Sequence, residues 1–476
     1  MQAHVARPRL SVLSGNQKEQ IHEAVAAVLW STGVRVEEPK AVQILHDAGA
    51  QVDGQRVRIP TDVLDRALKQ APRVVTIYDR DGSEAMRLGT DAVYFGTHSD
   101  TPELLDLASG RLRPFRLDDV GQAALLCDAL PNIDFIAMSG FAEEIRNPTV
   151  IPALAMARMM RNSTKPLGLG SNDVEATRMM LDVALTVRAD KQDLAARPFF
   201  YYYSEPTTPL THTPVSLRRF MLAVEHGIPV VYTPMVMAGA TGPATLAGVI
   251  VQALADALPG LVLAQAMRPG APCLTGGIPT IMDMSTTICS YGAPELSLMC
   301  AALSEMVQFY GLPVFGTGGC TDAPAVDCQL ACEVTFSCLA AALSGAHLIH
   351  DVGLLYHAAR VSAEAFVLSD EIVAMVRSFL QGIRIDQEAL ATEVIDSVGP
   401  GGHFLDQDHT LRNFRRMWHP KLFDRSMQGG PGSAEALARG LRERAHQLLA
   451  THEPRPLSPD AEDRLIEVEE HLLSMR

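Results

Sequence analysis

The sequence predicts an α/β protein: a TIM-type (β/α)8 barrel with an N-terminal helical and β-hairpin region and C-terminal helices. Three observations point there. From Asn132 onward, short β-rich runs alternate with longer helical stretches, the rhythm of parallel βαβ units. Seven runs can be counted: Ile133–Met138, Pro166–Leu169, Pro198–Tyr203, Pro229–Tyr232, Pro272–Leu274, Pro313–Phe315 and His347–Ile349. They approach the eight strands of a closed barrel and exceed what a small open sheet needs. The composition, 47% hydrophobic and 20% charged over 476 residues, supplies apolar side chains for a large core. An open doubly wound sheet is the alternative, but its glycine fingerprint is missing, since Gly168-Leu169-Gly170 lacks the third glycine.

The elements follow in order. Ile21, Ala24, Val25, Val28 and Leu29 recur at helical spacing and stop at Gly33. Pro39 opens a helix that stops at Gly49, and Pro60-Thr61 precede a third, Val63 to Gln70. Strands are expected at Val74–Tyr78 and Ala92–Phe95, and a hairpin around Ser109-Gly110. The eighth barrel strand is the least marked, with Val361–Leu368 as its candidate. Leu246–Met267 is the most apolar run. It contains Gln252, Asp256, Pro259 and Gln265, which suggests a buried helix, a turn and a second helix rather than a membrane span. Helices over 371–381 and 387–396 precede a glycine-rich motif. Met427–Ser433 is an expected linker, and amphipathic helices over 434–451 and 459–475 finish the chain. The expected division is 1–131, an N-terminal region wrapping the barrel; 132–398, the barrel; and 399–476, the C-terminal motif and helices.

A formal charge of −15 without clustered Lys and Arg argues against a nucleic-acid surface. Met1–Leu10 has no apolar segment of the secretory kind, so a cytoplasmic location is expected. The eight cysteines include no CxxC pair. Cys328 and Cys332 share a helix face, but zinc would need two further ligands nearby, and no metal is expected.

In such a barrel the chemistry sits where strands end and βα loops begin. Past the third counted strand comes Tyr201-Tyr202-Tyr203-Ser204-Glu205, and alternation puts Tyr201, Tyr203 and Glu205 on one side. The fourth ends at Tyr232. The seventh reads Ala346-His347-Leu348-Ile349-His350-Asp351, which aims His350 at the mouth and His347 at the helix layer. Asp351 can orient an imidazole, and Tyr356 follows in the same loop. Tyr94-Phe95-Gly96-Thr97-His98 adds Tyr94 and His98. Converging aromatics with little positive charge suit a quaternary ammonium, which cannot donate a hydrogen bond and is held by aromatic faces.

Two stretches carry a family resemblance. Gly399-Pro400-Gly401-Gly402-His403-Phe404-Leu405, with His409-Thr410-Leu411 and Phe414-Arg415, follows Gly316-Thr317-Gly318-Gly319-Cys320-Thr321-Asp322 at a distance. Together they resemble the trimethylamine methyltransferase family from about Ser14 to Arg425, and in particular its branch without pyrrolysine, which demethylates quaternary amines such as glycine betaine. Cys320 stands at the position matching pyrrolysine in related enzymes, a departure that puts trimethylamine itself in doubt. The resemblance implies methyl transfer from an amine, glycine betaine in the first instance, to the cobalt of a separate corrinoid protein. It implies no tightly bound cofactor in this chain. Carnitine, proline betaine or trimethylamine are alternative donors. A zinc-dependent methyltransferase, a non-catalytic quaternary-amine sensor and a Schiff-base lyase are rival functions. A homo-oligomer is expected.

Overall fold

The structure, a computed structural model, describes residues 4–98, 100–425 and 433–475. Eight strands form one sheet in the order Ile136–Ala137, Leu167–Leu169, Phe200–Ser204, Val230–Tyr232, Cys273–Gly276, Val314–Thr317, Leu348–His350 and Tyr94–Phe95, each pair parallel. A parallel bridge from Gly96 to Phe135 joins the last strand to the first and closes the barrel. The seven counted runs each become one of these strands. They are short and buried on both faces, as parallel strands under a helix layer must be.

The eighth strand is not Val361–Leu368. Its first residues, Arg360–Ser362, pair with Glu103–Leu105 and with Leu354–Leu355 in a separate sheet, and Ala363–Leu380 is a helix. Ala365, Phe366, Leu368, Ile372, Val373 and Val376 give that helix its buried face. A short apolar run that straddles a strand end and a helix start has no clear period of its own. The gap is filled instead by Tyr94–Phe95, which lies before residue 132 and follows the antiparallel hairpin Val75–Tyr78 with Glu84–Leu88.

That hairpin plugs the barrel floor. Val75, Ile77, Met86 and Leu88 are buried in one cluster with Phe135, Tyr201, Val231, Leu274, Phe315 and Leu348, which point inward from the strands. Tyr78 N–H donates to the Pro198 carbonyl at 2.8 Å, and Arg87 N–H donates to Tyr94 Oη at 3.0 Å. Both contacts are at strand entrances, so the floor is the N-terminal end.

Leu246–Met267 is a single helix, not two, and Pro259 sits inside it. Proline removes one donor and crowds the preceding turn, yet the helix continues because nearly every residue from Val249 to Gln265 is buried against strands and neighbouring helices. It is long and apolar enough to cross a membrane by composition, but most of that surface is covered by the fold. The expected helix over 387–396 is instead broken at Ala391, left-handed with φ 49°, into Gln387–Leu390 and Thr392–Val398. The motif from Gly399 to Arg416 has no buried residue. Beyond it, Ser433–Thr451 and Pro459–Ser474 dock through Leu441, Ala445, Leu465 and Leu472. Most of the expected linker, Met427–Ser433, lies outside the described residues.

Candidate active site

At the C-terminal end of the barrel, Val314–Thr317 and Leu348–His350 run side by side with Thr317 opposite His350. Alternation turns Phe315, Thr317, Leu348 and His350 to the interior. The Phe315 and His350 rings stack at 4.3 Å. His347 faces the other way, its Nδ1 accepting from Val314 N–H at 2.8 Å in the helix layer.

Three side chains that are far apart in sequence meet above this stack. His350 Nδ1 lies 2.6 Å from Asp351 Oδ1, His98 Nδ1 lies 3.3 Å from the same oxygen, and the two imidazole nitrogens are 3.2 Å apart. Asp351 is fully buried, and its backbone adopts φ 90°. A non-glycine residue in that region costs on the order of 1–3 kcal/mol and persists where the surroundings over-determine it. Burial pushes the Asp351 carboxyl up, but the His350 and His98 imidazoles outweigh it and leave the group below its ordinary range. Burial pulls His98 down, helped by His350 and opposed by Asp351.

The other pole is Tyr203 and Glu205, successive inward positions at the end of Phe200–Ser204. Tyr203 Oη donates to Glu205 Oε1 in a short hydrogen bond. Solvent reaches Glu205, yet protein surrounds it densely enough that desolvation raises its carboxyl, the mark of a concave, wet site. Burial, then the Glu205 charge, hold the Tyr203 phenol protonated well above its ordinary range. The two poles touch: His98 meets Tyr203 edge-on at 6.3 Å, and Tyr203 lies 5.6 Å from Phe315.

The remaining expected residues are placed elsewhere. Tyr201 points inward but one layer lower, packed between Phe135 at 5.8 Å and Phe315 at 6.4 Å. Its ring fills the space left by Gly168, where a Cβ would fall 2.3 Å from the phenol oxygen. Tyr94 is part of the floor. Tyr232 faces the helix layer, hydrogen-bonded to His212 Nδ1 at 2.7 Å and packed so close to Gly260 that a Cβ there would sit 2.1 Å from its ring. Strand residues two apart share a face, but Tyr232 and Tyr203 sit on different strands, and the register Tyr203↔Val231 gives the inward position to Val231. Tyr356 is half-exposed and already stacked by the Arg360 guanidinium at 4.1 Å. Cys320 is buried beside the site, and burial, then Asp351, push its thiol well up, so it is no thiolate.

Sequence reading missed three residues. Phe315 and Thr317 were available from alternation along the strand Val314–Thr317. Tyr291 was not, because it lies in a loop. It is buried within electrostatic reach of Asp351, Cys320 and Tyr203. Asp322 holds that loop in place, accepting from Tyr291 N–H at 2.7 Å and contacting His357 Nδ1 at 2.8 Å. No metal motif is visible in the sequence, yet the fold gathers His98, His350 and Asp351 so that one ligand atom of each lies within 4.8 Å of the others. Cys328 and Cys332 are exposed on their helix and take no part.

A closed (β/α)8 barrel with an imidazole–carboxylate pole and a tyrosine–glutamate pole at its mouth is the setting into which the comparisons fall: this chain is an amine methyltransferase. The model of the family described as trimethylamine methyltransferase (MTTB) matches residues 2–470, and the chain belongs to that family. A glycine betaine methyltransferase of Desulfitobacterium hafniense (strain Y51) is 31% identical over 465 residues, covering 96% of each chain. A trimethylamine methyltransferase MttB of Desulfitobacterium hafniense (strain DSM 10664 / DCB-2) is 30% identical over 464 residues, 96% of this chain and 93% of the relative. The crystal structure of the Methanosarcina barkeri monomethylamine methyltransferase (MtmB) superposes with a TM-score of 0.55 at 11% identity, over 92% of this chain and 89% of that one. That likeness speaks for the fold.

Proposed function

We propose that this chain moves a methyl group from a quaternary amine, glycine betaine giving dimethylglycine, to the Co(I) of a separate corrinoid protein. The observation that carries the reading is the Tyr203–Glu205 pair facing an imidazole pole, with no activated nucleophile beside them among the described residues. The thiols of Cys320 and Cys300, buried beside the mouth, are both pushed up by burial and held protonated. Lys165 has its ammonium tied to the Cys127 and Leu130 carbonyls at 2.6 and 2.7 Å, at a strand entrance, the wrong end for a Schiff base at the mouth.

The corrinoid, when docked, supplies the nucleophile that takes the methyl carbon. This chain's residues position and desolvate. Tyr203, with Tyr291 near it, offers aromatic faces to the cation, each contact contributing roughly 0.5–2 kcal/mol. Glu205 adds a diffuse negative field. When the carbon–nitrogen bond breaks, its electron pair stays on nitrogen and the tertiary amine leaves neutral, so no general acid is required. Aligning the methyl group toward the open mouth is then the main catalytic contribution. The substrate carboxylate is read at the pole formed by His98 and His350.

The test is a methyl-transfer screen of glycine betaine, carnitine, proline betaine, choline and trimethylamine with reduced free cobalamin, followed by its absorption. Glycine betaine is expected to turn over fastest. In His350→Ala its affinity should fall by about ten- to a hundred-fold, the scale of one lost hydrogen bond to a charged group at roughly 1.5–3 kcal/mol, while choline changes little. No demethylation of any quaternary amine sinks the reading, and demethylation of trimethylamine alone moves the substrate class.

A further inference from the structure

Three facts about the imidazole pole do not fit a site made only of protein. Asp351 is completely buried, yet neither carboxylate oxygen has a hydrogen-bond partner; the neighbouring imidazole nitrogens lie close but off line. A buried carboxylate without partners carries a heavy desolvation cost. The hydrogen bonds below the pole then bear on the His350 tautomer. Where Thr317 Oγ1 donates to the Gly277 carbonyl at 3.3 Å, its lone pairs face His350 Nε2 at 3.2 Å and favour the tautomer with the proton on Nε2. In that tautomer the Nδ1 lone pair of His350 points toward Asp351 Oδ1 at 2.6 Å and His98 Nδ1 at 3.2 Å. A proton on His98 Nδ1 can bridge the two imidazoles at 3.2 Å, but it leaves Asp351, buried and without a hydrogen-bond partner, facing ring nitrogens with no cation among them.

We infer that His98 Nδ1, His350 Nδ1 and Asp351 form a site for a divalent transition-metal ion, with the open position toward the barrel mouth. The spacing supports it. Tetrahedral zinc with bonds of about 2.0–2.1 Å separates neighbouring ligand atoms by about 3.3 Å. The His98–Asp351 and His98–His350 separations are 3.3 and 3.2 Å, and only the His350–Asp351 edge, at 2.6 Å, must open. Two imidazoles and one carboxylate suit zinc and its neighbours in the first transition row, not magnesium or calcium. Thr317 orients the far nitrogen of His350, the second partner that metal-bound histidines almost always have.

The ion resolves a charge problem in the proposed function, on which this part of the inference rests. Asp351 alone makes the pole negative and repels a substrate carboxylate. A divalent ion makes the pole net positive and offers that carboxylate an open coordination position, while the ammonium stays at Tyr203 and Glu205. The ion thus selects betaines over amines without an acid group. No bond is made or broken at the metal; it binds and orients.

The experiment is metal analysis of the purified protein, followed by chelator stripping, calorimetric titration with zinc, and replacement by Co(II), whose visible bands report coordination. About one zinc per chain is expected. Co(II) should give the intense bands of a four- or five-coordinate site, perturbed by glycine betaine but not by choline. His98→Ala, His350→Ala and Asp351→Asn should each weaken zinc binding by at least about ten-fold, and Cys320→Ser should retain it. If the stripped chain binds neither ion above the level of the triple variant, the pole is held by a proton on His350 and the inference falls. Methyl transfer from glycine betaine by metal-free protein would remove the metal and leave the proposed function standing. Zinc bound at the triad with no quaternary amine demethylated would do the reverse.

Discussion

At the floor of the barrel, Tyr94 and Tyr201 are packed among Val75, Ile77, Met86 and Leu88, and the Tyr94 phenol accepts one backbone N–H. At the mouth, two residues further along the same strand as Tyr201, Tyr203 donates to a carboxylate in wet surroundings, beside a buried Asp351 whose oxygens have no partner. The floor gives the Tyr94 phenol a backbone partner and fills its volume with apolar side chains. The mouth keeps an aspartate at φ 90° whose buried carboxylate has no hydrogen-bond partner. Stability is concentrated at one end and tension at the other, which is how a barrel can carry a reactive site without losing its fold.

Substitutions can break that contrast. The largest expected effect is at the mouth. Asp351→Asn removes the charge between two imidazoles, and methyl transfer should fall by at least about ten- to a hundred-fold, from roughly 1.5–3 kcal/mol lost at a charged group. Its melting temperature should stay near that of the parent or rise; a large drop in stability with unchanged turnover would make Asp351 a structural residue.

At the floor the signs reverse. Gly168→Ala drives a methyl group into the Tyr201 phenol and should cost about 1–3 kcal/mol of stability in denaturant unfolding. The KM for the amine should change little in molecules that remain folded. A KM change as large as that of a mouth variant would mean that the two ends are coupled through Tyr201.

Tyr203→Ala should weaken quaternary-amine binding by about 2- to 30-fold, the range of one cation–π contact, measured by calorimetry. Tyr94→Phe should leave binding untouched. Equal effects from the two would erase the distinction between mouth and floor.

A smaller effect is read from pH. Asp256 is buried in the long helix next to Leu210 N–H and Gln252, and burial raises its carboxyl to about 7. Because the folded value lies above the unfolded one, the contribution to stability is full below the ordinary carboxyl range and is lost as pH rises toward about 7. Asp256→Asn, which has no charge to bury, should therefore gain on the parent between about pH 4 and 7, by roughly 1–3 kcal/mol, and level off above. Parallel melting curves across that range would contradict it. The smallest effect is expected of Cys320→Ser, which should retain methyl transfer within a few-fold, since a protonated thiol is no nucleophile. Complete loss in a folded variant would give that thiol a covalent or metal-binding role.

Local pattern was enough for seven strands, because each is a short apolar run set off by longer amphipathic helices, and neighbours in sequence are neighbours in the barrel. Alternation along one strand was likewise enough to turn His350 inward, His347 outward and Tyr203 toward Glu205. The eighth strand was hidden because two residues, Tyr94 and Phe95, carry no period, and one wall of the slot they fill is Leu348–His350, more than two hundred residues away. The face Tyr232 shows depends on the register with Phe200–Ser204, which its own sequence does not contain. The triad needed the closed barrel: His98 follows the closing strand and His350 the strand beside it, and a contact across 252 residues has no signature in either segment. What the chain determined alone was periodicity and side-chain type. Which ends meet, and which polar groups are left facing one another, was decided only when the sheet closed on itself and excluded water from the space between.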